Sequence, residues 1–117
     1  MELYNATLNT LRGLSRGLKI ERAVRQETAV LVLALPLGAW LAPGIGWYVA
    51  MIGVLIGTLA VELLNTAVEK LADRVTRERD PYIGMAKDFG SAAVFCMLCL
   101  DALVWLAAAA ERFGFFT

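Results

Sequence analysis

The 117-residue chain contains no histidine. Its two cysteines, Cys96 and Cys99, form a CxxC inside an apolar stretch with no companion ligand in sight, so neither zinc binding nor redox work is indicated and the pair is expected to pack. A Walker A loop, a protein-kinase signature and a Rossmann glycine pattern are all absent, so any handling of ATP must use an unrelated design. The chain has no net charge, eleven basic residues balancing eleven acidic ones. It also lacks an internal repeat, a low-complexity tract and the composition shift that would mark a second domain. The first 27 residues are polar and amphipathic with no apolar core, so no cleavable signal peptide is expected.

What is present is apolar residue in quantity: 59% of the chain is hydrophobic, which places it as one small membrane domain spanning residues 1–117. The zero net charge conceals an arrangement. Ten of the eleven basic residues form two groups: Arg12, Arg16, Lys19, Arg22 and Arg25, then Lys70, Arg74, Arg77, Arg79 and Lys87. Between them, Ala42 to Tyr48 carries no charge. The positive-inside rule puts both groups in the cytoplasm and the uncharged connection outside. Nucleic acid is the rival partner for a basic arm, but spaced charges beside apolar spans suit a lipid surface better.

Leu3 to Val24 alternates Leu3, Leu8, Leu11, Leu14, Leu18 and Ile20 with Arg12, Arg16, Lys19 and Arg22, the pattern of a basic helix lying on a membrane, weakened by Gly13 and Gly17. Three apolar stretches follow, so the expectation is an all-α membrane protein with a surface helix over about residues 1–27 and membrane helices over about 28–46, 47–75 and 88–112. The first stretch, Thr28 to Pro43, has 16 residues and contains Pro36. That is short of the roughly 20 a span needs, so it must borrow from its flanks, or form a re-entrant hairpin. The loop Thr76 to Met85 reads as polar and broken by Pro81 and Gly84. Trp40, Trp47, Tyr48, Trp105, Phe113, Phe115 and Phe116 fall near the outer interface. The N-terminus is then inside and the C-terminus outside.

The second stretch holds the chemistry. WYVAMIGVLIGTLA runs without a break into VELLNTAVEKLADRV, and on a helical projection Thr58, Glu62, Asn65, Thr66, Glu69 and Asp73 share one face of about 100°. Carboxylates are costly within a membrane, so by default they mark function. The plain alternative is a polar seam satisfied by Arg or Lys from a neighbour, which is the better account of Asp73 alone. Glu62 and Glu69 stand about 10 Å apart along the axis, which suggests separate roles: the deeper a base, the shallower a cation ligand. Carboxylate and amide oxygens together with phosphate form the usual surroundings of Mg²⁺.

Other polar groups are weaker signals. Glu21 and Arg25-Gln26-Glu27 close the surface helix, either as a solvated boundary or as part of a site shared with the acidic stripe. Lys87-Asp88 opens the third span, either as a snorkelling lysine and a helix cap or as a contact for phosphate and metal. Asp101 lies midway along that span, where the ordinary account is a polar partner on another helix or subunit. Gly53 and Gly57 make a GxxxG, a weak signal of close helix contact.

Three strings, ERAVRQE (21–27), VELLNTAVEKLADR (61–74) and AKDFGSAAV (86–94), resemble the signature blocks of the bacterial integral-membrane diacylglycerol kinases, with compatible spacing and tryptophans at Trp40 and Trp105. The resemblance implies a homotrimer of three-span subunits with shared active sites at the cytoplasmic boundary. It implies transfer of the γ-phosphate of MgATP to the primary hydroxyl of diacylglycerol, giving phosphatidic acid, with Mg²⁺ required. By the same resemblance Glu62 is the catalytic base, and Glu21 and Glu69 hold the metal bound to ATP. Asn65, Asp73, Glu78, Lys87 and Asp88 join Glu21 and Glu69 around the nucleotide. Arg25, Gln26, Glu27, Trp40, Ser91 and Trp105 line the lipid site with Glu62. The sequence departs from the family pattern at Asn9 and Leu11, where aromatic residues are common, and at Asp101, usually apolar.

Two other functions compete. A related branch phosphorylates undecaprenol, although GSAAV after Lys87-Asp88 looks more like the diacylglycerol branch. In a different class, a small multidrug or proton-coupled transporter would use Glu62 as its proton and cation site. That leaves Glu21, Glu69 and Lys87-Asp88 gathered on one side without a reason.

Overall fold

A computed structural model describes residues 2–76, 78 and 80–115. Four helices make up the described residues: α1 (Glu2–Ile20), α2 (Arg22–Leu41), α3 (Ile45–Val75) and α4 (Pro81–Arg112). No strand occurs among the described residues. Helices α2, α3 and α4 are long and apolar enough to cross a membrane. The protein is an all-α membrane protein with three spans. Its apolar residues accordingly face outward in quantity: Leu33, Leu64, Phe89, Leu103 and Leu106 are each about two-thirds exposed or more, as lipid contact requires.

The second and third spans form an antiparallel hairpin whose register is read from four contacts. Trp105 Nε1 donates to Met51 O at 3.0 Å. Thr58 Oγ1 lies 2.6 Å from Asp101 Oδ2. Asn65 abuts Gly90, and Lys87 Nζ meets Asp73 Oδ1 at 2.9 Å. Against this hairpin α2 packs through a small core of Ala34, Ile52 and Leu55, flanked by Leu31, Tyr48 and Trp105. Tyr48 ties α3 to α2 near their connection, its hydroxyl donating to Leu35 O at 3.0 Å.

The first span is a continuous helix of 20 residues, not a re-entrant hairpin. It reaches about 30 Å by taking Arg22 to Glu27 from the polar flank, which matches the hydrocarbon thickness. The surface helix therefore stops at Ile20 and not near residue 27. Its outward stripe of Leu3, Leu8, Leu11, Leu14, Leu18 and Ile20 stays exposed, as expected of a helix whose apolar face meets lipid.

The third span begins at Pro81, seven residues earlier than the apolar pattern implied. Asp80 is its N-cap, with Oδ1 accepting from Tyr82 N at 2.9 Å and Ile83 N at 3.1 Å. Pro81 therefore opens a helix where a break was expected, since its missing N–H and fixed φ suit the first helical position. The helix α4 thus takes in the Pro81 to Met85 part of the expected loop, and Lys87-Asp88 sits within the helix, so Asp88 is not its cap. Cys96 and Cys99 are free and exposed on α4, not packed as expected. Of the GxxxG pair only Gly57 makes close contact: a Cβ there would stand 2.9 Å from Met97 Cε, while Gly53 faces open space. Trp40 is tilted against Phe113 at 6.1 Å between ring centroids and lies under the Arg112 guanidinium at 5.9 Å. Arg77, Arg79 and Phe116 lie outside the described residues.

Candidate active site at one end of the bundle

Helix α3 has 31 residues and so runs for about 46 Å, well beyond the roughly 30 Å of hydrocarbon. Counting from Ile45, Glu62 lies about 26 Å along, near the far edge of a hydrocarbon layer of that thickness, and Glu69 and Asp73 lie beyond it. Thr58, Glu62 and Asn65 are the buried polar side chains of the described chain, at 0%, 8% and 9% exposure. They are the inner part of the predicted stripe. Thr66, Glu69 and Asp73 are only partly covered.

Glu62 has no cationic partner among the described residues, and its neighbours worsen matters: Glu69 and Glu21 both lie within Coulombic range. Asn65 Nδ2 donates to Glu69 Oε1 at 3.4 Å, while Asn65 Oδ1 is buried without a partner among the described residues. Such a group wants a hydrogen-bond or metal partner that those residues do not supply. Among the described residues no three acidic or thiol groups converge tightly enough to hold a cation by themselves. An all-oxygen donor set that is incomplete without phosphate is how Mg²⁺ is commonly held, so the residues present fit that ion.

Glu21 comes to the site from the joint between α1 and α2. Its backbone is extended there (φ −116°, ψ 118°), and its carboxylate pairs with Lys70 at 3.3 Å. Arg25 braces the joint, with Nη1 donating to Leu18 O at 3.1 Å and Lys19 O at 3.2 Å. These are terminal carbonyls of α1 that need donors. Arg25 thus caps a helix here. Glu27, part-buried on α2, lies within Coulombic range of both Asp101 and Glu62, and Gln26 beside it is exposed.

Lys87 is held by Asp73 beyond Glu69 on the same end of the bundle, where both side chains are about 40% exposed. Asp88 and Ser91 are exposed on α4, and Glu78 is exposed in the turn, its N–H donating to Thr76 Oγ1 at 3.1 Å. Trp40 is at the far end of α2, about 20 Å along the axis from Glu27, and Trp105 is bonded to Met51 O in the half of the bundle away from Glu62. The structure therefore gathers Glu21, Glu27, Glu62, Asn65 and Glu69 and leaves both tryptophans toward the other end of the bundle, Trp40 one residue from the end of α2.

Two glycines escaped notice as site residues. Gly17 is buried, and a Cβ there would stand 3.0 Å from Leu63 Cδ2 and 3.2 Å from Val24 Cγ1, so its absence lets α1 press against α3 beside Glu62. The four-residue spacing of Gly13 and Gly17 was the available signal. Gly90 admits the Asn65 amide; a Cβ there would overlap Asn65 Oδ1. Asp101, without a definite role from sequence, is bonded to Thr58 on α3.

Residues 8–109 match the family described as prokaryotic diacylglycerol kinase. The chain belongs to this family. It is 40% identical to a diacylglycerol kinase of Haemophilus influenzae over 103 residues, 88% of this chain and 87% of that one. A diacylglycerol kinase of Pseudomonas aeruginosa is 39% identical over 88% of this chain and 84% of its own length. One from Escherichia coli is 33% identical with the same coverage, 88% and 84%. The family match spans the carboxylate face of α3, the joint at Glu21 and the Lys87-Asp88 turn of α4.

Proposed function

We propose that this protein is a diacylglycerol kinase of the bacterial inner membrane, transferring the γ-phosphate of MgATP to the primary hydroxyl of diacylglycerol. The observation that carries the reading is Glu62, a buried carboxylate without a cationic partner among the described residues, at the depth where a lipid hydroxyl meets water. The three relatives named above are diacylglycerol kinases, which favours that lipid over undecaprenol. A transporter would leave Asn65, Glu69, Glu21 and Lys87 without a use.

In this reading Glu62 accepts the proton of the acceptor hydroxyl as its oxygen attacks the γ-phosphorus, and the bond from that phosphorus to the bridging oxygen of ADP breaks. The products are phosphatidic acid and ADP. Glu69 and Glu21 would hold Mg²⁺ on the nucleotide, with Asn65 Oδ1 free to bond it or its water. The ion, when bound, offsets phosphate charge. Lys87 and Asp73 face the nucleotide, with Asp88 and Glu78 nearby, and Arg25, Gln26, Glu27 and Ser91 flank the lipid headgroup. Trp40 and Trp105 stand along the acyl chains. The N-terminus is cytoplasmic, the C-terminus is outside, and three copies share their active sites, which suits a site left open at Asp88 and Ser91.

The test is transfer from labelled ATP to diacylglycerol and to undecaprenol in detergent micelles. Diacylglycerol is expected to be the better acceptor, with transfer abolished by chelating Mg²⁺ and reduced by about 10² or more in Glu62→Gln. Folded protein that phosphorylates neither lipid would sink the reading. Undiminished transfer by Glu62→Gln would remove that residue from its role.

A further inference from the structure

Within the hydrocarbon, one side-chain pair ties α3 to α4 by polar contact. Thr58 Oγ1 stands 2.6 Å from Asp101 Oδ2 and 2.9 Å from Val54 O. Thr58 is fully buried, and no water is at hand in a bilayer to replace the bond if it is lost. The hydroxyl thus links the α4 carboxyl to the α3 backbone one turn before Glu62. Four residues separate Thr58 from Glu62, about 6 Å of rise and nearly the same face. On both sides the helices are already close, at Gly57 against Met97 and at Gly90 against Asn65. Glu62 sits between these contacts, and among the described residues its side chain has no hydrogen bond to fix it.

We propose that Asp101 is a positioning residue for phosphoryl transfer: through Thr58 it fixes the rotation and depth of the α3 turn that presents Glu62 to the acceptor hydroxyl. The inference rests on the kinase reading above. Rotation of α3 by a fraction of a turn swings the Glu62 carboxylate by more than an ångström, and a misplacement of about 1 Å can cost roughly 10² in rate. Asp101 stands at the level of Thr58, about 6 Å of rise from Glu62, so it acts through Thr58 and not on the reacting atoms. Its other oxygen, Oδ1, is buried without a partner among the described residues, as suits a group retained for a tie to Thr58 and not for contact with solvent.

The test compares Asp101→Leu, Asp101→Asn and Thr58→Val in full-length protein, with diacylglycerol saturating and MgATP varied. Asp101→Leu and Thr58→Val should each lower kcat by about tenfold or more while leaving the KM for MgATP within about twofold. Asp101→Asn should retain most of the rate, because its amide still bonds Thr58. The double variant Thr58→Val/Asp101→Leu should be no slower than either single change. Amide exchange over residues 58–62 should quicken in the Leu and Val variants and not in Asp101→Asn, a readout that does not depend on the lipid accepted. Thr58→Val is nearly isosteric and keeps the test open if Asp101→Leu fails to fold. Full kcat in folded Thr58→Val overturns the proposal, as do equal losses in the Leu and Asn variants, multiplied losses in the double variant, or unchanged exchange.

Discussion

Asn65 on α3 and Gly90 on α4 meet with no room for a methyl group between them: a Cβ at Gly90 would overlap the Asn65 amide oxygen. The glycine therefore sets how closely the hairpin closes beside the carboxylates, and it explains a buried amide inside a seam of apolar helices. Gly90→Ala must part the helices or push Asn65 off Glu69. Overpacking of this kind costs typically about 1–3 kcal/mol. The expected outcome is a lower unfolding temperature together with about a tenfold rise in the KM for MgATP. Adding Asn65→Ala should recover stability and leave the kinetic defect, which unfolding and initial-rate measurements on the three variants will separate.

The ion pair Lys87–Asp73 leads to a different expectation, because both side chains are about 40% exposed. Exposed pairs contribute roughly 0–1 kcal/mol, so breaking this one should hardly change stability. Lys87→Met should instead raise the KM for MgATP by about tenfold, as removal of one phosphate contact would. Exchanging the charges, Asp73→Lys with Lys87→Asp, should preserve folding without restoring that KM. Recovery of full nucleotide affinity by the exchange would mean that the pair serves only to join the helices.

Gly17 governs the approach of α1 to the site. Ala there gains helix propensity of about 1 kcal/mol but meets Leu63 Cδ2 at 3.0 Å, so the two effects nearly cancel. Gly17→Leu has no such balance and should lift α1, carrying Glu21 away from Glu69 and lowering activity about tenfold or more. Leu63→Ala in the same chain should return part of the loss. If Gly17→Leu is fully active, the contact of α1 with α3 is not needed for the placement of Glu21.

Much of this architecture was legible in the residues because a bilayer narrows the options. Long apolar runs have to be helices, and a helix of fixed pitch makes 58, 62, 65, 69 and 73 one face whatever surrounds it. The boundaries were less legible. Arg22 to Glu27 looks like the tail of a surface helix by composition, yet the span needs the length, and Asp80-Pro81 is a helix start hidden in a charged turn. What no spacing within one helix could give is contact between helices. That Asp101 would find Thr58, or that Gly90 would receive Asn65, depends on the antiparallel register of α3 and α4, fixed by packing along the whole hairpin. The CxxC misled in the other direction, since in lipid an exposed thiol and a packed one have the same sequence signature.

Asp80 and Asp88 offer a crossed comparison on one helix. Asp80 accepts two backbone N–H groups at the start of α4, and replacing such a cap by Ala costs typically about 1 kcal/mol. Asp80→Ala should therefore lower the unfolding temperature, while kcat and the KM for MgATP of the folded protein stay as they were, since the cap lies beyond the carboxylate cluster. Asp88 is exposed, two turns into the helix, and caps nothing. Asp88→Ala should leave stability unchanged within about 0.5 kcal/mol and raise the KM for MgATP. Thermal unfolding and ATP-dependence of the two variants decide the matter together. A stability loss in Asp88→Ala with normal nucleotide kinetics would return Asp88 to a purely structural role and leave Lys87 as the one α4 side chain facing the phosphates.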